Sequence, residues 1–272
     1  MLFRSDVVHK QLHVELPNLH SEAVRSVSIS NVGHYVVSGS YDKTMTIWNI
    51  LDEPITSINL RCHRDKVNSV MFAPDGNTVA SGSSDGTIRI WSTSDGELVH
   101  EIPKIGIEKV FSIAYSPDGN HILSGSDYGT IRMWNTSDFS ESPKVFQGHI
   151  NSVFGLSFAS NSLRSVSSSI DGTIRVWDAT GGITFNESSH KNTSEVISIS
   201  ISSNGRLIAS GMVDGTVCIY DSSNGKLVLG PLKGHRDTVY SVAFSSNGTL
   251  VVDLLLIRAV YTDASHNYSL FR

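Results

Sequence analysis

Five anchoring aromatics, Trp48, Trp91, Trp134, Trp177 and Tyr220, follow one another at intervals of 43 residues. A fixed period of this size constrains the fold more than any single motif, because each repeat is a supersecondary unit that buries its apolar face only by stacking on the next. The copies align without gaps. Val24-Arg-Ser-Val, Val67-Asn-Ser-Val, Val110-Phe-Ser-Ile, Val153-Phe-Gly-Leu and Val196-Ile-Ser-Ile each open 24 residues before the aromatic, and Val239-Tyr-Ser-Val opens a sixth copy. Such regularity favours a scaffold over an enzyme.

The second copy shows how a repeat is built. Val67 to Phe72 reads as a strand buried on both faces or nearly so, and Pro74-Asp75-Gly76 ends it, proline presetting φ and glycine permitting the positive φ of a tight turn. A second strand from Thr78, the turn Ser84-Asp85-Gly86, a third alternating strand to Trp91, the turn Ser94-Asp95-Gly96 and a fourth strand from Glu97 complete the unit. Gly33, Gly76, Gly119, Gly205 and Gly248 recur at the first turn, and Gly86, Gly129, Gly172 and Gly215 at the second. Four short antiparallel strands per period predict an all-β chain, a propeller whose stacked blades hide their strand edges.

Composition narrows the function classes. Charged residues are only 17% of the chain and the net charge is −5, which lacks the basic stripe that phosphate neutralisation requires, so no nucleic-acid partner is expected. Cys62 and Cys218 are too few for a disulfide framework, which fits a reducing, cytoplasmic setting. The N-terminal segment lacks the apolar core of a signal peptide, and Leu250 to Ile257 is too short to span a bilayer, so no membrane association is expected.

Ser81-Gly-Ser-Ser-Asp-Gly-Thr-Ile-Arg-Ile-Trp91, Gly148-His149 and Trp177-Asp178 resemble the WD-repeat signature over about residues 20 to 248. The even repeats and Ser-Pro-Asp-Gly turns are most similar to the WD-repeat arrays of large fungal NACHT-type signalling proteins, and leave open that the chain is a piece of a larger multidomain protein. The resemblance implies a buried hydrogen-bonded set of His, Ser, Asp and Trp in each blade. Complete sets are expected in blades one, two and four: His20, Ser38, Asp42 and Trp48; His63, Ser81, Asp85 and Trp91; His149, Ser167, Asp171 and Trp177. Buried imidazole, indole and carboxylate each cost several kcal/mol unless paired, so they occur together. The same Ser, His and Asp types make nucleophilic triads, but their multiplication at equivalent positions argues for structure. Blade three departs, with Gly106 at the His position and Tyr128 at the Asp position, Asp127 being displaced by one. Blade five departs too, with Asn192 at the His position and His190 two residues early.

The whole chain, residues 1–272, reads as one domain of six blades, at about 20–60, 63–102, 106–146, 149–187, 192–231 and 235–272, plus a strand at 7–16. Blade six loses the pattern at Asp253-Leu-Leu-Leu-Ile-Arg258, a break of the kind a splice variant, a frameshift or a gene-model error leaves. The alternation Leu12, Val14, Leu16 against Gln11, His13, Glu15 predicts a half-buried N-terminal strand that closes the ring by pairing with the irregular last blade.

With no cofactor motif, no metal-ligand spacing and no isolated catalytic constellation, the expected function is non-catalytic: a scaffold presenting its loops to a protein or peptide partner, with intracellular signalling as its setting. Carbohydrate or small-molecule binding at the channel mouth is the alternative. The residues just before the second turn's Asp mark the candidate partner surface, an apolar crescent of Tyr41, Ile170, Met212 and Val213, with Leu255 and Leu256 at the corresponding places in blade six.

Overall fold

A computed structural model describes residues 2–6, 11–104, 108–162, 164–178, 194–245, 250–253, 258–262 and 268–270. Every regular element among these is a β-strand. Blade two contributes Val67–Phe72, Thr78–Ser83, Ile88–Ser92 and Leu98–Ile102, hydrogen-bonded antiparallel in chain order from the inner strand outward. Blades one, three and five repeat this four-stranded order over residues 24–61, 110–146 and 196–233. Blade four shows three strands over 153–178, and the residues that would follow, 179–193, lie outside the described set. With a sixth four-stranded sheet over residues 242–270 they form the six-bladed propeller that the repeat period implies.

The inner strands of successive blades pack on one another from the first blade to the sixth. Two devices recur at these junctions, though not at all of them. The valine that opens a repeat seats in a notch of the preceding blade, where a Cβ on Gly39 would come within 2.7 Å of Val67, and the same holds for Gly82 with Val110, Gly125 with Val153 and Gly211 with Val239. Only glycine leaves that space. Serines of one blade then accept backbone N–H groups from the next: Ser26 Oγ from Val70 and Ser69 Oγ from Ile113, both at 3.1 Å, and Ser198 Oγ from Val242 at 2.9 Å.

Apolar packing carries most of the stability. Val37, Met45 and Ile47 of blade one meet Val70, Phe72, Val79 and Trp91 of blade two in one buried cluster. Burying each such side chain is worth about 1.5–3 kcal/mol, against about 1 kcal/mol net for one hydrogen bond. The serine contacts therefore set register more than they supply energy.

Ring closure differs from the sequence expectation. Gln11–Leu16 pairs antiparallel with Leu2–Asp6 in a separate two-stranded sheet, not with the last blade. Residues 7–10 of the expected strand lie outside the described residues. The last blade instead takes all four strands from its own tail: Val242–Phe244, Leu250–Asp253, Arg258–Thr262 and Tyr268–Leu270. The tail supplies the strands that complete the ladder of blade six, so the N-terminal strand is not needed there. Leu16 buries against Trp48 and Ile50 of blade one. This small sheet leaves the inner strand of blade one uncovered among the described residues: Ile29 is 57% exposed, whereas its counterpart Phe72 is 5% exposed.

Candidate functional site

Two blades hold the complete polar set in the same geometry. In blade two the indole N–H of Trp91 donates to Ser81 Oγ at 2.9 Å, Ser81 Oγ lies 2.7 Å from His63 Nε2, and His63 Nδ1 lies 3.0 Å from Asp85 Oδ2. Blade four repeats this, with Trp177 to Ser167 at 2.8 Å, Ser167 to His149 at 2.7 Å and His149 to Asp171 at 3.0 Å. One tautomer satisfies every atom. The serine accepts from the indole and donates to Nε2, leaving Nδ1–H for the carboxylate. Asp85 also accepts the Arg64 N–H at 2.8 Å and the Thr87 N–H and hydroxyl at 2.9 and 2.6 Å. Burial would raise the Asp85 carboxyl, but hydrogen bonds from His63, Thr87 and the Arg64 amide outweigh it and hold it well below the usual carboxylate range.

Blade one is less complete than the sequence suggests. His20 meets Ser38 at 2.6 Å and Asp42 at 3.2 Å, yet the buried Trp48 Nε1 has no partner. The Trp48 ring packs with Leu16 and Ile50, so apolar contact takes the place of the indole hydrogen bond. Blade three keeps only the Trp134 to Ser124 bond, at 2.9 Å. Gly106 lies outside the described residues, and an ion pair between Arg132 and Glu108 stands in the neighbourhood. Asp127 accepts the Lys109 N–H at 3.1 Å, and Tyr128 turns to solvent. In blade five Asp214 accepts the Thr216 N–H and hydroxyl, while Asn192 and His190 lie outside the described residues.

This arrangement consumes its own chemistry. In blades two and four the serine hydroxyl sits between an indole and an imidazole and is buried. Burial pushes the Cys62 thiol up to about 12, removing thiolate character at neutral pH. Among the described residues no three metal-ligating groups come together.

The face bearing the second turns offers contact instead. Tyr41, Ser84, Asp127, Ile170 and Val213 are equivalent there, each N–H donating to the carbonyl of Ala23, Lys66, Lys109, Ser152 and Glu195 respectively. Tyr41 is half-buried with the Lys66 ammonium 4.5 Å from its ring centroid, Ile170 is half-buried, and Val213 is exposed. Met212 does not belong with them, being 2% exposed within the apolar cluster between blades four and five. It occupies the register of the buried Ser40, Ser83, Ser126 and Ser169, one residue before the rim position, so it replaces a turn-capping serine inside the fold. Leu255 and Leu256 lie outside the described residues.

Two rim residues escaped the sequence argument. Tyr128 is 59% exposed and Ile150 is 88% exposed. They lie close together, since Gly129 abuts the backbone carbonyls of His149 and Asn151. The signal for Tyr128 was present in its replacement of the network aspartate, which frees the side chain. Ile150 follows His149 directly and carries no repeat-level mark.

Arg25, Asn68, Phe111, Phe154 and Ile197 are the second residues of the inner strands of blades one to five, and Tyr240 holds the same repeat position just before the first strand of blade six. Phe111 stacks on Phe154 with centroids 4.7 Å apart. The Arg25 guanidinium reaches across to Phe154 of blade four at 6.0 Å and to Tyr240 of blade six at 5.6 Å.

No match was found among curated proteins. The family described as WD domain, G-beta repeat matches the chain in six stretches, residues 12–49, 53–92, 100–135, 140–178, 183–221 and 226–253. Propellers of this family are generally protein-interaction scaffolds without catalysis. With six matched repeats covering most of its length, the chain belongs to the WD domain, G-beta repeat family.

Proposed function

We propose that this chain is a non-catalytic scaffold that binds a protein or peptide partner through the face carrying the second turns. The observation that supports this most is the pairing of an inert interior with an apolar rim. The Ser, His and Asp side chains are committed to blade networks, whereas Tyr128, Ile150 and Val213 stand exposed on that face, beside the half-buried Tyr41 and Ile170. Exposed apolar groups rimmed by polar turns mark interaction sites more often than chance scatter does. Intracellular signalling, as in the fungal NACHT-type arrays that the repeats resemble, is the setting we propose. The free, buried Cys62 and Cys218 fit a cytoplasmic location.

The test is affinity capture followed by mass spectrometry with the wild-type protein and a Tyr128→Ser/Ile150→Ser/Val213→Ser variant. A partner retained by the wild type and lost by the variant, at unchanged melting temperature, supports the reading. Partners held equally by both would remove this face from the function.

A further inference from the structure

We propose that Arg25 anchors a carboxylate-binding site at the channel mouth, which takes an acidic side chain or the C-terminus of a protein partner. The proposal rests on the scaffold reading and adds the chemistry of what is recognised.

Six equivalent repeat positions, 25, 68, 111, 154, 197 and 240, flank the mouth, and Arg25 is the one charged residue among them. Asn68 has spent its amide donors on Ser84 Oγ at 2.9 Å and the Val110 carbonyl at 2.8 Å. Phe111 and Phe154 close on each other at an interplanar angle of 16°, and Ile197 is buried. Tyr240 remains 55% exposed, so the site is open to solvent on one side. Arg25 has no hydrogen bond or ion pair to any described residue. Two other half-buried arginines do, Arg89 pairing with Glu101 at 2.7 Å and Arg132 with Glu108, while Arg175 packs beside Gly148 with its Nε buried and unpartnered.

Ring contact holds a guanidinium by its π face and leaves the in-plane N–H fork unspent. That fork matches a carboxylate in bidentate fashion, which a lysine ammonium does not. Apolar walls on Phe111, Phe154 and Ile197 lower the local dielectric, so the pair is worth more there than on open surface. A cationic ligand is disfavoured because Arg25 already takes the ring faces and would repel it. Tyr240, the one tyrosine among these six positions, carries a hydroxyl donor on the ring that the guanidinium contacts.

The experiment is a titration of the full-length protein followed by NMR of the arginine Nε–H resonances. Arg25 is assigned by its loss in Arg25→Gln and independently by contacts to the Phe154 and Tyr240 rings. The probes are N-acetylglutamate amide for the carboxylate of an acidic residue, N-acetylalanine for a terminal one, N-acetylglutamine amide as the uncharged control, and inorganic phosphate. A saturable shift at Arg25 with one or both carboxylates, absent with the glutamine control and weakened several-fold in Arg25→Lys and Phe154→Leu, supports the site. The relative strength of the first two probes tells an acidic residue from a C-terminus. Equal shifts at the exposed Arg61 and Arg64, no shift at Arg25, or tighter binding of phosphate than of either carboxylate overturns it. These small probes need no partner protein. A negative result here thus leaves rim-dependent capture intact, and loss of rim-dependent capture leaves this titration unaffected.

Discussion

Gly155 stands opposite Ser168 across the first two strands of blade four, and a Cβ on Gly155 would come within 2.5 Å of Ser168 Oγ. Every other described blade of this kind has the pair reversed: Ser26 faces Gly39, Ser69 faces Gly82, Ser112 faces Gly125 and Ser198 faces Gly211. The hydroxyl has moved to the partner strand and fills the same volume. Its oxygen has no hydrogen-bond partner there. Gly155→Ser alone should destabilise by about 1–3 kcal/mol through overpacking, and Ser168→Gly alone should loosen the sheet. The double variant should be more stable than either, with a coupling of about 0.5–3 kcal/mol in urea unfolding. Additive single effects would show that the two positions do not share one space.

The blade-two network should be costlier to break than the blade-five turn. His63→Ala leaves Asp85 and Ser81 without their imidazole, and a loss of about 2–4 kcal/mol is expected. Asp214→Ala removes only contacts to Thr216 at an exposed turn, and should cost about 1 kcal/mol or less. Equal losses in chemical denaturation would refute the distinction.

Trp48 and Trp91 should respond differently to phenylalanine. Trp91→Phe loses the bond to Ser81 and leaves that hydroxyl short of a donor, whereas Trp48→Phe removes a buried N–H that has no partner. Trp91→Phe should therefore be the more damaging by about 1 kcal/mol, read from denaturation midpoints at equal m-values.

Acid should unfold the protein in two stages. Burial lowers the His63 and His149 imidazoles, with Asp85 and Asp171 only partly offsetting it. The unfolded state thus takes up those protons first, and stability present above about pH 6.5 declines as pH falls from there toward the folded values. The carboxylates follow. For Asp42, burial raises the value but the Thr44 hydroxyl and the Ser21 and Thr44 amides hold it at about 2, and Asp85 and Asp171 also lie below the usual range. Their contribution is present above about pH 4 and is lost as pH falls through the folded values. Melting temperature against pH should decline below about 6.5 and again below about 4, and His63→Gln should flatten the first decline. A melting temperature that rose between pH 7 and pH 5 would contradict the neutral-histidine assignment.

The period of the aromatics and the recurring turns made the blades legible because both features are local: a strand's alternation and a glycine's φ depend on a few neighbours. His63, Ser81, Asp85 and Trp91 were legible for a related reason, since buried polar atoms must find partners at fixed spacing. What escaped reading depended on other blades. Met212 looked like a rim residue until the junction with blade four showed it replacing a buried serine. The N-terminal strand looked like the missing edge of blade six because its alternation fits either partner, and alternation does not say which edge a strand joins. Arg25 is one unremarked position in a strand, and its meaning appears only when Phe154 and Tyr240, more than a hundred residues away in sequence, stand beside its guanidinium.

The valine seat has a consequence for how such a repeat array is assembled and altered. Because Val67 fits against Gly39 as Val110 fits against Gly82, blades one, two, three and five share a common coupling and are interchangeable parts in that respect. Blade four is not, since its Ser168 occupies the place where its neighbours keep a glycine. Grafting blade four elsewhere would carry a mismatched joint with it, so modularity along this array is set at the joints and not by the blades.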